Sequence, residues 1–201
     1  MNTLILAAAL LAAPAPLAAQ GAAAPTTAEV SVGIQTSLGQ IVVSLDPVHA
    51  PVTTANFLKY VDTHRFDGQT FYRAMRATDG SPVLIQGGIS SDARKLLPPI
   101  KHESTAQTGL KNVAGAISMA NAGPGTARSD FFILLADQPA FDAGGPGGDA
   151  NGFAAFGKVT EGMDVVKKIF ESPVSATKGV GVMKGEMLDP AVKIVSAKRL
   201  N

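Results

Sequence analysis

From Val30 onward apolar and polar residues alternate: Val30, Val32 and Ile34, then, after Ser37-Leu38-Gly39-Gln40, Ile41, Val43 and Leu45. Alternation on both sides of a glycine-containing break predicts a β-hairpin, because successive side chains of a strand face opposite sides. Asp46-Pro47 ends the second strand. Pro51 stands where a helix starts without losing a hydrogen bond, and Thr54, Phe57, Leu58 and Val61 follow at i, i+3, i+4 and i+7 on one helical face. Short β-type runs come next at 70–73, 83–86, 113–119, 131–135 and 153–159, parted by Gly, Pro, Asp and Ser clusters. A second helix is predicted from Thr160-Glu161-Gly162-Met163-Asp164, with Thr160 as N-cap, acids in the first turn and Met163, Val166 and Phe170 at helical spacing. Residues 192–200 form a last alternating strand that runs into Lys198-Arg199. Many short strands with two separated helices predict a mainly antiparallel sheet, closed or sandwiched, with helices over its ends.

The first 28 residues break this pattern, since none of them is charged. Leu4 to Ala13 is an apolar run of ten, too short to span a bilayer, followed by a Pro-rich patch and small residues. That order suits a secretory signal peptide over 1–24, cut between about 19 and 24, and a disordered Ala/Pro tail is the alternative. About 180 residues then remain, the size of one domain, placed at 29–201. With 17 basic and 16 acidic residues in no long run of either sign, no nucleic-acid or anionic-membrane surface is expected. The chain has no cysteine. Disulfides, thiolate nucleophiles and lipobox anchoring are therefore excluded, while an oxidising compartment is compatible. A soluble, exported, periplasmic protein without stable membrane insertion is the expectation.

Candidate chemistry narrows by exclusion. Gly152 to Lys158 has the spacing of a phosphate-binding loop, but Val159 stands where Ser or Thr would hold magnesium, and the stretch reads as strand. Neither Gly-x-Ser-x-Gly nor His-Glu-x-x-His occurs. His49, His64 and His102 lie apart without ligand spacing, so neither a metal nor a cofactor is expected. What stands out is polar residues set in apolar strands: Arg73 within Phe71 to Met75, and Gln86 within Val83 to Gly88. A buried arginine needs a partner or a job, and a carboxylate partner at a barrel edge is the plainer reading. A polar, glycine-rich bend, Ala120 to Asp130, also separates two apolar runs.

Taken together, Phe71-Tyr72-Arg73, Gln86-Gly87-Gly88, Ser118 to Pro124, Ser129-x-Phe131-Phe132-Ile133 and Phe156-Gly157-Lys158-Val159 resemble, in order and spacing, the cyclophilin family of peptidyl-prolyl isomerases. The resemblance runs from about Glu29 to Leu200 and is greatest to bacterial periplasmic members, as in Leu97 to Ser104. It implies a mainly β fold, a closed eight-stranded antiparallel β-barrel capped by two α-helices, with a substrate groove on the outside. It also implies Arg73 as the catalytic residue, with Gln86 close to it. Asn121 matches the asparagine whose backbone pairs with substrate, and Ala120 lines the groove beside it. Phe132 matches the base of the proline pocket, with Leu84, Val83, Phe141 and Phe153 at further substrate-binding positions.

Asp130 departs from the family's usual glutamine and offers an acceptor to Arg73 or Arg128. No tryptophan is present, so the pocket indole of many eukaryotic members is missing. The Gly-rich stretch 143–152 reads either as a lip of the groove or as an inert connector. Prolyl rotation changes no covalent bond, so the reading requires no nucleophile, metal or cofactor. The implied partners are proline-containing polypeptides, unfolded or folding exported proteins, met by a monomer. A cyclophilin-fold holdase with little turnover is the first alternative, and a small hydrolase the second.

Overall fold

The computed structural model describes residues 29–89 and 92–200, so the signal peptide expected over 1–24 lies outside the described residues. The strands are β1 (Val30–Thr36), β2 (Gly39–Leu45), β3 (Thr70–Arg76), β4 (Pro82–Gly88), β5 (Ala116–Met119), β6 (Phe131–Leu134), β7 (Ala154–Glu161), β8 (Val174–Ser175) and β9 (Met187–Arg199). The helices are α1 (Pro51–Asp62), α2 (Thr105–Thr108) and α3 (Met163–Phe170). Strand order is β1-β2-β7-β5-β6-β4-β3-β9-β8, and an extra β1–β9 pairing closes eight of these strands into a barrel. Every pairing is antiparallel. The two-residue β8 extends the sheet outside the ring, and the one-turn α2 adds a third helix to the expected pair. Closure removes the unpaired edges that an open sheet of this size would expose.

The predicted hairpin forms with Val30 opposite Leu45 and Thr36 opposite Gly39. Its inward residues, Val32, Ile34, Ile41, Val43 and Leu45, are all buried. α1 adds Phe57, Leu58, Tyr60 and Val61 to the same core, and α3 adds Val165, Val166, Ile169 and Phe170. At the centre Phe57 packs against Phe66, Phe131 and Phe156 at 5.1–5.3 Å between ring centres. A second apolar group, Val83, Leu84, Ala116, Phe132 and Leu134, lies apart from this core. The two phenylalanines of β6 therefore divide: Phe131 fills the barrel, and Phe132, pointing the other way, founds the second group.

Several boundaries differ from the sequence pattern: β3 runs on to Arg76 and β9 starts at Met187, and two further differences have a clear local cause. Residues 113–115 precede β5, and Val113 is half-exposed, because a turn at Ala114-Gly115 leads into the strand. Thr160 is not an N-cap: β7 continues through it to Glu161, which pairs with Val42, and the Thr160 hydroxyl donates to the Val42 carbonyl at 3.3 Å. Ladder pairing outcompetes the local cap signal. Gly162 makes the turn instead at φ 85°, where a Cβ would strike the Gln40 carbonyl oxygen.

The start of α1 is capped from a distance. Ala50, its N-cap, has no side chain able to accept a hydrogen bond. Glu103 supplies the carboxylate, accepting from the Val52 N–H at 3.0 Å, the Thr53 N–H at 2.8 Å and the Thr53 hydroxyl at 2.6 Å. A negative group on free N–H donors at a helix start is favourable on both hydrogen-bond and dipole grounds. We expect Glu103→Ala to lower unfolding free energy by about 1–2 kcal/mol in denaturant titration, by analogy with loss of a cap. A change within about 0.3 kcal/mol would contradict this account of α1.

Candidate active site

β3 carries the centre of the site. Its register against β4 pairs Phe71 with Gly87 and Arg73 with Gln86, which leaves Tyr72 as an extra, bulged residue. A regular strand would aim Tyr72 and Arg73 at opposite faces. The bulge lets both reach Gln86 while Phe71 stays in the core. Gln86 Oε1 accepts from Arg73 Nη1 at 3.0 Å, and Gln86 Nε2 donates to the Tyr72 hydroxyl at 2.7 Å. That hydroxyl donates in turn to Asp130 Oδ2 at 3.0 Å.

On the other side of the guanidinium stands Glu186, whose Oε2 accepts from Arg73 Nε and Nη2, each at 2.7 Å. The two side chains are only 14% and 19% exposed, so the pair is shielded and geometrically fixed. The Ala74 N–H donates to the Glu186 carbonyl at 2.9 Å, which seats the carboxylate beside the arginine. Of the five guanidinium N–H groups, one on Nη1 and one on Nη2 remain for a ligand.

The expected pairing of Asp130 with Arg73 or Arg128 does not occur. Asp130 is too fully engaged elsewhere, accepting from Tyr72, from the Ser129 hydroxyl at 3.0 Å and from the Ile89 amide. Gly88 makes the approach possible, since a Cβ there would overlap the Asp130 carboxylate. Burial pushes the Asp130 carboxyl above the ordinary range, against the pull of those three hydrogen bonds. Burial likewise holds the Tyr72 phenol above its ordinary value, with the Asp130 charge adding to the effect. Tyr72 therefore stays a donor throughout the range in which Asp130 titrates.

The bend between β5 and β6 forms a second wall. Thr126 Oγ1 donates to the Gly123 carbonyl at 2.6 Å and accepts from the Ala122 N–H at 2.9 Å, while Asn121 Oδ1 accepts from the Gly123 N–H at 2.9 Å. Asn56 on α1 donates to the Arg128 carbonyl at 2.6 Å and ties the bend to the barrel. Ala120 N–H is used by the Asp130 carbonyl at 2.8 Å, but the backbone of Asn121 makes no hydrogen bond among the described residues. Asn121 Nδ2 is also buried without a partner. This wall thus offers free backbone groups at Asn121.

The third wall is aromatic. Phe132, Phe141 and Phe153 meet edge to face, with centroids 5.1–5.8 Å apart. Buried Asn112 holds the two loop-borne rings, donating to the Phe141 carbonyl at 3.0 Å and the Phe153 carbonyl at 3.2 Å. Leu84 and Met75 complete the apolar end.

These walls enclose one groove of about 560 Å³. It brings together Arg73, Gln86, Leu84, Ala120, Asn121, Asp130, Phe132, Phe141 and Phe153. Val83 is the exception: it alternates with Leu84 along β4, is buried, and does not line the groove. None of residues 143–152 lines it either, so the Gly-rich stretch is no lip in this conformation. Sequence reading missed Glu186, Tyr72, Asn112 and Met183. Only Tyr72 carried a local signal, its place beside Arg73.

A closed barrel with an external groove of these dimensions, apolar at one end and rich in free donors at the other, is a barrel protein fitted to an extended peptide. The chain belongs to the cyclophilin type peptidyl-prolyl cis-trans isomerase/CLD family, whose sequence pattern matches residues 31–199. Among relatives, it is 38% identical over 176 residues to peptidyl-prolyl cis-trans isomerase A of Dickeya dadantii, covering 86% of this chain and 85% of the relative. It is 36% identical over 175 residues to a peptidyl-prolyl cis-trans isomerase of Acinetobacter baylyi, covering 85% and 86%. The fold is similar to the crystal structure of a Cryptosporidium parvum cyclophilin type isomerase, with TM-score 0.68 at 19% identity over 86% of this chain and 98% of the other. A crystal structure of that isomerase in the presence of the dipeptide Ala-Pro gives TM-score 0.66 at 20% identity, covering 85% and 99%.

Asp130 yields a pH prediction. A carboxyl whose pKa is raised on folding contributes stability that is complete below its unfolded pKa and lost as pH rises through the folded one. Asp130→Asn removes this titration while keeping an acceptor for Tyr72. Relative to wild type, the variant is expected to gain thermal stability between about pH 4 and pH 7. A difference in melting temperature that stays constant over that range would show that Asp130 is not strained by burial.

Proposed function

We propose that the groove catalyses cis-trans isomerisation of Xaa-Pro bonds, with Arg73 stabilising the twisted amide, and that its clients are exported proteins folding in the periplasm. As a member of its family the chain is a peptidyl-prolyl isomerase. The Arg73 mechanism, the clients, the compartment and a monomeric state are our reading. The apolar run from Leu4 to Ala13 with small residues after it supports export, and the absence of cysteine is compatible with it.

The observation that carries the mechanism is the guanidinium held from both sides with two N–H groups left over. Prolyl rotation must break amide resonance, a barrier of about 18–20 kcal/mol. As the C–N bond twists, the nitrogen pyramidalises and its lone pair becomes an acceptor absent from the planar ground state. A donor already aimed there binds the transition state better than the substrate. Gln86 and Glu186 fix that aim before the peptide arrives, so little reorganisation is needed during rotation. Glu186 also offsets part of the charge, which lowers the cost of burying the guanidinium but leaves its free N–H groups as donors.

The remaining walls anchor the peptide. The cup of Phe132, Phe141, Phe153 and Leu84 suits a pyrrolidine ring, and the free backbone of Asn121 suits an extended chain added alongside. Holding the ring while the carbonyl side swings turns binding into rotation.

Exchange NMR on an Ala-Pro peptide tests this. Arg73→Ala is expected to lower kcat/KM about 100-fold or more, in line with loss of a preorganised transition-state donor. Arg73→Lys should recover little, because a mobile ammonium lacks the fork. Wild-type-like rates in Arg73→Ala would overturn the mechanism, and binding without rate enhancement by the wild type would favour the holdase. Glu186→Ala is expected to lower kcat about 3- to 10-fold at nearly constant KM, with Glu186→Gln restoring most of it, since a carboxamide oxygen still accepts from Nε. An unchanged kcat in Glu186→Ala would show that Gln86 alone positions the fork.

A further inference from the structure

The segment that delivers Glu186 to Arg73 does more than hold a carboxylate. Met183, three residues before Glu186, lines the groove. Just before it lie Val180 and Val182, which are 83% and 87% exposed, whereas among the described residues no other exposed large hydrophobic exceeds 53%. Scattered half-exposed apolar residues are ordinary, but two nearly bare valines flanking a groove residue are not explained by packing.

The segment is also closed on itself. Gly185 N–H donates to the Lys178 carbonyl at 3.2 Å, Met183 N–H to the Val180 carbonyl at 3.2 Å, and Glu186 N–H to the Met183 carbonyl at 3.1 Å. Gly179, at φ 98°, allows the close pass, since a Cβ there would strike the Met183 carbonyl. Lys178 is further anchored to Asp189 at 2.9 Å. An apolar tip held in one shape costs little entropy to bind against.

We propose that residues 178–186 form an accessory client-binding surface, continuous with the groove, that takes an apolar side chain a few residues from the proline in an unfolded polypeptide. The occupant follows from continuity with the groove: Met183 lines it, Val182 and Val180 precede Met183 in the same closed segment, and an unfolded chain carries apolar side chains in the open on either side of a proline. The identity of that occupant rests on the isomerase reading of the groove.

The test pairs the double substitution Val180→Ser, Val182→Ser with two ten-residue peptides, each with a central Ala-Pro, one flanked by leucines and one by serines. Affinity is measured by NMR titration and isomerisation by exchange. Both valines are solvent-exposed, so the melting temperature is expected to be unchanged. In wild type the leucine peptide should bind about 5- to 10-fold more tightly than the serine peptide, as partial burial of one or two aliphatic side chains allows. The double variant should lose that preference while keeping the wild-type exchange rate on a bare Ala-Pro tetrapeptide. An equal preference in wild type and variant overturns the proposal, as does a parallel loss on the tetrapeptide, which would place the valines in support of Arg73. Absence of exchange in the wild type with the leucine preference intact would overturn the isomerase reading and leave the surface standing.

Discussion

The site depends on one irregularity in the barrel, the bulge at Tyr72. A strand in strict alternation offers one face to the core and one to the groove, so consecutive residues cannot both serve the same site. By slipping one residue between Phe71 and Arg73, β3 keeps Phe71 against Phe131 in the core and turns both Tyr72 and Arg73 toward Gln86. The pairing of β3 with β9 also breaks at this point, but there the excess lies on β9: Phe71 faces Val192 and Arg73 faces Met187, one residue past Glu186. Both ladders of β3 are thus irregular beside Arg73, and the guanidinium takes one partner from β4, Gln86, and one from the residue just before β9, Glu186.

From that constraint follows a continuous polar chain, Glu186–Arg73–Gln86–Tyr72–Asp130, drawn from four separate parts of the sequence. A half-satisfied buried network would be worse than an apolar wall. Here each member has a partner, and the free capacity is concentrated where a peptide would lie: two guanidinium N–H groups and the backbone of Asn121. Asp130 belongs to the far end of this chain. It acts on Arg73 only through Tyr72 and Gln86, so exchanging the family's usual glutamine for a carboxylate alters the network's terminus without touching the donor itself.

Much of this was legible in the sequence because it is encoded locally. Alternation fixes the hairpin, and helical spacing after Pro51 fixes α1. The groove-lining residues Arg73, Gln86, Asn121 and Phe132 were found through motifs that sit within a few residues of each other on their own strands. What was not legible is encoded across distance. Glu186 lies 113 residues beyond Arg73 in a glycine-rich stretch with no periodic pattern, and Glu103 caps a helix that begins 52 residues earlier at Pro51. Bulges also escape pattern reading, since an inserted residue looks like ordinary alternation until the partner strand is known. Thr160 shows the converse: a sound local cap signal lost to ladder pairing with β2.

The central claim is that Arg73 is aimed before any peptide binds. Side-chain NMR of the free protein, following the guanidinium Nε–H and Nη–H groups, measures this directly. With Nε and Nη2 on Glu186 and Nη1 on Gln86, Arg73 should show slow rotation about Nε–Cζ, resolved Nη protons and slow exchange with water. Arg94, whose side chain is 91% exposed and which among the described residues pairs only with its surface neighbour Asp92, should be averaged and fast-exchanging and so show what a solvated carboxylate pair gives without burial. If the Arg73 signals are averaged like those of Arg94 and sharpen only when an Ala-Pro peptide is added, the fork is assembled by substrate and the preorganised site described here does not exist.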